Sequence, residues 1–246
     1  MKNNESSQKI ALITGANRGI GKELVKALSQ KNFLVILACR NEEQGENLAL
    51  EIQEHGGYAD FVPMDLQHKE EREEGMDYIF EKYGSVDVLI NNAGVWLDPQ
   101  FSMPHPLDAS PLKVSEDTLR HSLEVNALAP YFLIQRCLPS MIRRNYGRIV
   151  NLSTELSLFR NLSGNYSAYT LSKSLLNAIT CSFSSFCVSQ NILINAVYPG
   201  WVKTDMGGPK APLLASQVVQ DIIYAAMLEE SGPRGKLLYK KKILDW

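Results

Sequence analysis

Ile10-Ala11-Leu12-Ile13-Thr14-Gly15-Ala16-Asn17-Arg18-Gly19-Ile20-Gly21 is the run that sets the architecture of the chain. Its first four residues are short and wholly apolar, as a strand covered on both faces is. Glycines follow at 15, 19 and 21. A helical pattern then runs from about residue 20 to 30, with Leu24, Val25 and Leu28 on one face. A glycine turn between strand and helix lets the backbone approach a pyrophosphate closely, and the helix N-terminus attracts its charge. The spacing is Thr-Gly-x-x-x-Gly-Ile-Gly rather than Gly-x-Gly-x-x-Gly. Its place between a strand and a helix is what points to a dinucleotide.

The same alternation continues outward. Strand patterns fall at 33–38, 58–64, 86–90, 148–152 and 192–198, with an edge strand at 235–239. Helical patterns fall at 42–54, 69–83, 166–188 and 215–229, and one long helix over 116–145 carries Pro130 and Pro139 as expected kinks. Alternating strands and helices give right-handed crossovers and a parallel sheet. The expectation is an α/β fold: one Rossmann-type, doubly wound parallel sheet of about seven strands with helices on both faces. A polar tail occupies 1–9 and a single domain 10–246, with substrate loops at 95–115 and 199–215. The first of these loops holds four prolines and little periodicity, and long irregular connections are commonly functional. Ligands in such sheets bind beyond the carboxyl ends of the strands. The turns after the strands, at 15–21, Arg40, Asp65, 91–94, 153–154 and 199–200, are therefore expected to share one crevice.

Composition narrows the class. The 246 residues are 45% apolar and 21% charged, with a formal net charge of -2 and a pI near 6.1. That is an ordinary globular mix and does not suit a nucleic-acid partner. Arg143, Arg144 and Arg148, like Lys240 to Lys242, read as solvated edges. The cysteines at 39, 137, 181 and 187 form no Cys-x-x-Cys pair and no Cys/His metal spacing, so no metal site is expected. Cys39, Cys137 and Cys181 sit in apolar patterns, as free thiols in a reducing compartment do. There is no apolar leader and no run of membrane-spanning length. The expectation is a cytoplasmic protein with no membrane partner.

Tyr169 and Lys173 lie in Asn165-Tyr166-Ser167-Ala168-Tyr169-Thr170-Leu171-Ser172-Lys173. Four residues apart on a helix, they project from one face. A phenol has a reference pKa of about 10, and a nearby cation lowers it. A tyrosine tuned in this way can pass a proton to a carbonyl oxygen. After the second strand comes Ala38-Cys39-Arg40-Asn41. No carboxylate is there to take a ribose 2′-hydroxyl, and Arg40 offers a guanidinium suited to a 2′-phosphate. Arg18 adds a second cation on the same side. NADP(H) is therefore preferred over NAD(H).

The glycine turn at 14–21, Asn91-Asn92-Ala93-Gly94, Tyr169-x-x-x-Lys173 and Pro199-Gly200-Trp201-Val202-Lys203-Thr204 occur in order at suitable intervals. Together they resemble the short-chain dehydrogenase/reductase family over nearly the whole chain. The stretch 199–208 resembles its carbonyl-reductase-like members. The resemblance implies a catalytic set of Asn126, Thr154, Tyr169 and Lys173. Asn126 holds a relay water, Tyr169 is the general acid, and Lys173 holds the nicotinamide ribose and depresses the Tyr169 pKa. Where the family usually has Ser-Ser, this chain has Ser153-Thr154. Thr154 falls at the active position, with Ser153 and Ser157 as alternatives. The implied cofactor contacts are Gly15, Asn17, Arg18, Gly19, Ile20, Arg40, Asp65, Leu66, Asn92, Ala93, Gly94, Tyr169, Lys173, Pro199, Gly200, Val202 and Thr204. Gln44 stands where carbonyl reductases often place a second phosphate-binding arginine.

The expected activity is NADPH-dependent reduction of an aldehyde or ketone to an alcohol, reversible, on a small-molecule substrate. Trp96, Phe101, Met103, Trp201 and Met206 are candidate pocket walls, and Gly207-Gly208-Pro209 a lid hinge. The alternatives are a 3-oxoacyl-carrier-protein reductase, with Arg143, Arg144 and Arg148 as its docking surface, and a non-catalytic NADP-sensing protein. A homo-oligomer is expected through the helices holding Asn126 and Tyr169, with Leu175, Leu176, Ile179 and Phe183 as the apolar face.

Overall fold

The computed structural model describes residues 8–98 and 111–246. Six strands carry the frame: β1 (Lys9–Thr14), β2 (Phe33–Cys39), β3 (Tyr58–Pro63), β4 (Val88–Asn91), β5 (Gly147–Leu152) and β6 (Ile192–Val197). The short pair β7 (Val202–Lys203) and β8 (Leu213–Leu214) forms a separate ribbon. A C-terminal hairpin of β9 (Leu237–Tyr239) and β10 (Lys242–Leu244) closes one edge of the main sheet. The order is β10-β9-β6-β5-β4-β1-β2-β3, eight strands, with β10 alone antiparallel to its neighbour.

The apolar runs of the sequence mark about seven strands. The eighth, β10, follows a turn built on Lys240 and Lys241, both at positive φ (48° and 63°). Such tight turns favour Asn or Gly, so two lysines carried no hairpin signal. Of the tail read over 1–9, Lys9 already belongs to β1, and residues 1–7 lie outside the described residues.

Successive strand residues point to opposite faces, and the sheet has a core on each. Ala11 and Ile13 of β1 join Leu24, Val25 and Leu28 of α1 (Gly19–Ser29) on one face. Leu48 of α2 (Glu42–Glu54) and Ile222 of α7 (Ala215–Ala226) complete that layer. Leu12 packs on the other face with Ile79 of α3 (Lys69–Tyr83), Ile134 of α5 (Ala129–Arg144) and Ile179 of α6 (Ser167–Phe186). Because β1 sits between β2 and β4, the winding reverses there. A crevice opens at the carboxyl ends of these strands.

The expected single helix over 116–145 is two helices. α4 (Glu116–Leu123) and α5 are joined by a π turn, Glu124–Leu128. Pro130 has no N–H to offer the carbonyl of Asn126 four residues back. The backbone widens before it, and the Ala129 N–H bonds the Glu124 carbonyl. π turns of this kind are frequent at functional sites. Pro139 sits inside α5 without ending it.

Arg148 is not a solvated edge. It is 2% exposed and gives its guanidinium to the carbonyls of Leu228, Gly147 and Asn191 at 2.6, 2.8 and 3.0 Å. Arg144 pairs with Asp87 and donates to the Val86 carbonyl at 2.8 Å. Only Arg143 stays exposed and unused. Of the four residues expected on an oligomer face, Leu176 and Ile179 are buried and Phe183 packs on the core, leaving Leu175 exposed.

Candidate active site

The glycine turn closes tightly on the end of β4. Gly15 is at φ +61°, and a Cβ there would lie 3.0 Å from the Ala93 Cα. A Cβ on Gly21 would lie 2.2 Å from the Gly15 carbonyl oxygen. Asn92 binds this turn through its side chain, donating to the carbonyls of Thr14 and Gly15 at 2.8 and 3.1 Å. Thr14 Oγ1 in turn accepts the N–H groups of Asn92 and Ala93, both at 3.1 Å. α1 starts at Gly19 with no side-chain cap from Arg18 and no acid in its first turn. Its leading N–H groups lack a side-chain acceptor from the N-cap, which suits an anion. Ile20 packs on the core behind them. These residues fit a dinucleotide pyrophosphate.

The residues expected at the adenosine end stand at the close of β2 and β3. The Arg40 guanidinium stands 3.9 Å from Asp65, and its side chain is 69% exposed. Asp65 also accepts the Gln67 N–H at 2.9 Å, and the neighbouring Leu66 is buried. Asn17 donates to Gln44 at 2.7 Å. Gln44, the departure from the arginine pattern, thus braces the glycine turn. Arg18 pairs with Asp205.

Past β6, Pro199 leads to Gly200 at φ +86°, where a Cβ would lie 2.6 Å from Leu213. Val202 is buried in β7. Thr204 Oγ1 accepts the Gly207 N–H at 3.1 Å, and the Thr204 methyl lies 3.1 Å from a Cβ placed on Gly19. The glycine turn and the later loop therefore touch across the crevice. Trp201 is exposed and donates its indole N–H to the Gly207 carbonyl at 2.7 Å. Met206 is also exposed. Phe101 and Met103 lie outside the described residues.

Four side chains meet at the crevice floor. Tyr169 and Lys173 share one face of α6 and are 8% and 4% exposed. Lys173 Nζ donates to the Leu152 carbonyl at the end of β5, at 2.8 Å. A Cβ on Gly94 would lie 3.1 Å from Asn126 Oδ1 and 3.4 Å from Lys173 Nζ, so Gly94 leaves room beside both. Asn126, in the π turn, is fully buried. It grips Val95 in both directions at 2.8 Å and donates to Ser172 at 2.9 Å. Its side chain is thus taken up by protein. The Thr154 hydroxyl accepts the Leu156 N–H at 3.2 Å and is near enough to the Tyr169 phenol to favour its ionised form. Ser153 donates to Asn177 at 2.6 Å, and Ser157 donates to the Thr154 carbonyl. The two serines bond Asn177 of α6, which leaves Thr154 as the hydroxyl of the three that acts on the Tyr169 phenol.

The electrostatics differ from the sequence reading. Lys173 was expected to depress the Tyr169 pKa. Burial instead pushes the Tyr169 phenol up to about 12, and the Thr154 hydrogen bond is what opposes this. Burial pulls Lys173 down to about 8. Desolvation penalises both charged forms, and the ammonium spends its bond on Leu152.

Trp96, expected as a pocket wall, and Asp98, which no pattern in the sequence singled out, both meet the first turns of α6. Trp96 stacks on Tyr169, with centroids 4.7 Å apart and planes 7° apart, and meets Tyr166 edge-on at 4.9 Å. Asp98 accepts the N–H groups of Ala168 and Tyr169 at 2.9 and 2.8 Å. Sixty-nine positions and more separate Asp98 from α6, so no local pattern announces the contact. Among the described residues, no group of three or more His, Cys, Asp or Glu side chains is placed to hold a metal.

A parallel sheet with a glycine turn at its winding reversal, facing a buried Tyr and Lys, defines a dinucleotide-dependent oxidoreductase. The short chain dehydrogenase family model matches residues 9–212, and the chain belongs to that family as a carbonyl-reductase-like, NAD(P)-dependent member. It is 27% identical to "Carbonyl reductase [NADPH] 1" of Mus musculus over 292 residues, covering 98% of this chain and 99% of that one. It is 32% identical to "3-oxoacyl-[acyl-carrier-protein] reductase FabG" of Aquifex aeolicus over 199 residues, covering 80% and 75%. The solved "Carbonyl reductase Sniffer of D. melanogaster" superposes with a TM-score of 0.84 at 30% identity, covering 97% and 100%.

Proposed function

We propose that this protein is an NADPH-dependent reductase of aldehydes or ketones, with Tyr169 as general acid. The observation that carries this reading is the burial of Tyr169 and Lys173 one turn apart on α6 at the crevice floor, with the Lys173 ammonium anchored at the Leu152 carbonyl. When bound, the nicotinamide supplies the hydride for the carbonyl carbon. Gly15, Asn17, Gly19, Ile20 and the first turn of α1 would hold the pyrophosphate. Asp65 and Leu66 would meet the adenine, Asn92, Ala93 and Gly94 the ribose side, and Pro199, Gly200, Val202 and Thr204 the nicotinamide end. Thr154 donates to the developing oxyanion. Tyr169, protonated across the ordinary pH range because burial raises its pKa, delivers the proton. Lys173 would hold the ribose hydroxyls, and the proton that Tyr169 gives up would be returned to it from solvent through those hydroxyls and the Lys173 ammonium.

Arg40 and Arg18 select NADP(H) over NAD(H) through the 2′-phosphate. The names of the carbonyl reductase relatives support this choice. Arg148 is buried and the exposed Arg144 is neutralised by Asp87, which weakens the surface that a carrier-protein reductase would use. Four free cysteines, three of them buried, accord with a reducing, cytoplasmic compartment. No helix among the described residues is long and apolar enough to cross a membrane.

The test is turnover of NADPH with a panel of aldehydes and ketones, in the wild type and in Tyr169→Phe. We expect wild-type turnover and a loss of at least about a hundredfold in the variant. Equal rates in the two proteins would remove Tyr169 from the chemistry.

A further inference from the structure

We propose that Asp98 is a positioning residue for Tyr169: its carboxylate fixes the first turn of the catalytic helix and thereby sets the phenol against Thr154. This rests on the reductase reading above. α6 has no cap of its own. Its N-cap residue, Tyr166, is in the left-handed region at φ 55° and makes no side-chain cap bond. A non-glycine residue holds that conformation only where its surroundings impose it. The first N–H groups of a helix have no partner within the helix. Here Ala168 and Tyr169 give theirs to the two oxygens of Asp98 at 2.9 and 2.8 Å. Asp98 is 3% exposed.

The stretch that delivers Asp98 reaches the site at two further points. Val95 is bonded in both directions to the Asn126 side chain, and Trp96 lies flat on the Tyr169 ring. Asp98 therefore ties the root of the substrate loop, the ring of Tyr169 and the helix that carries it into one unit. Lys173, a turn further on, has a separate anchor at the Leu152 carbonyl. Loosening the first turn would displace the phenol while leaving the ammonium in place. A small misplacement of a proton donor is costly in rate, whereas the groups proposed to hold the dinucleotide stay where they are.

Asp98→Asn keeps one acceptor and turns an amide N–H toward the other donor; Asp98→Ala leaves both donors unpaired. We expect kcat to fall about threefold to tenfold in Asp98→Asn and about tenfold to fiftyfold in Asp98→Ala. The NADPH dissociation constant, read by its fluorescence, should stay within about twofold. The near-ultraviolet circular dichroism of the Trp96–Tyr169 stack, identified by its loss in Trp96→Phe, should weaken in the same order. An unchanged kcat in a folded Asp98→Ala overturns the proposal, and so does a parallel loss of kcat and NADPH affinity. If Asp98→Ala does not fold, Asp98→Asn decides by the same readouts. If the wild type turns over no carbonyl compound, the reductase reading fails. The dichroism still decides Asp98, since an undisturbed stack in both variants sinks it.

Discussion

Thr154 carries a methyl that a serine at this position would lack, and its hydroxyl acts on the Tyr169 phenol against the effect of burial. Its Oγ1 also accepts the Leu156 N–H at 3.2 Å, which fixes χ1 more firmly than β-branching alone. Thr154→Ala should lower kcat about a hundredfold, the usual cost of removing an oxyanion donor. Thr154→Ser keeps the donor, so its kcat should stay within about threefold while the KM for bulky ketones falls because the pocket is wider. Ser153→Ala should leave kcat nearly unchanged and lower the melting temperature, because that hydroxyl is committed to Asn177. Steady-state kinetics on the three variants, with melting curves, separate these outcomes. Tyr169 and Lys173 were readable as a pair on one helix face from their spacing, while Asn126 and Thr154 entered as candidates only through the family resemblance. Asp98 was not legible, because its partners lie far along the chain and only the folded backbone brings them together. The direction of the Tyr169 pKa was misread for a related reason. Spacing shows that a lysine shares the helix face, but not that the pair is buried or that the ammonium bonds Leu152 instead.

At the scale of elements, the glycine turn and the loop after β6 meet across the crevice, and Arg18 pairs there with Asp205. The two side chains are 62% and 73% exposed, so the pair contributes at most about 1 kcal/mol. It nevertheless occupies the guanidinium proposed for the 2′-phosphate. Asp205→Asn should free Arg18 and tighten NADPH about twofold to fivefold while leaving NADH unchanged. Arg40→Ala should weaken NADPH and leave NADH unaffected. Titration of both nucleotides against both variants checks the pair, and equal responses to NADPH and NADH would remove the phosphate from the account. The order of strands and helices was readable because apolar runs and glycine turns mark each unit. The break at Glu124–Leu128 was half readable. Pro130 announced an irregularity, but its form depends on Asn126 being clamped to Val95 and Ser172, contacts that no sequence window contains.

Two properties belong to the whole molecule. Leu128, Tyr131 and Phe132 are exposed near the start of α5, and Leu171 and Leu175 on α6. Tyr131 touches Phe183 of α6 at 4.9 Å, so the two helices join there. We expect this face to pair two copies, and Phe132→Glu to shift the sedimentation coefficient from dimer to monomer. The pH dependence of stability follows from the crevice floor. Lys173 is held down to about 8 in the folded protein, from 10.5. Between those values the unfolded chain binds the extra proton, so stability from this residue rises with pH. Below about 8 the folded protein carries a buried ammonium at a cost; above 10.5 neither state does. Tyr169, raised from 10.0 to about 12, acts in the opposite sense, its contribution falling as pH climbs between those values. The buried thiols, also raised, lose stability from their unfolded pKa upward. The signature of Lys173 is therefore read as a difference. Denaturation midpoints of the wild type and of Lys173→Met, without nucleotide, are compared from pH 7.5 to 10.5. The wild type should gain on the variant by up to about 3 kcal/mol across that window. A constant difference would mean that Lys173 meets the folded state uncharged or well solvated, and the charge assigned to it at the ribose would have to come from elsewhere.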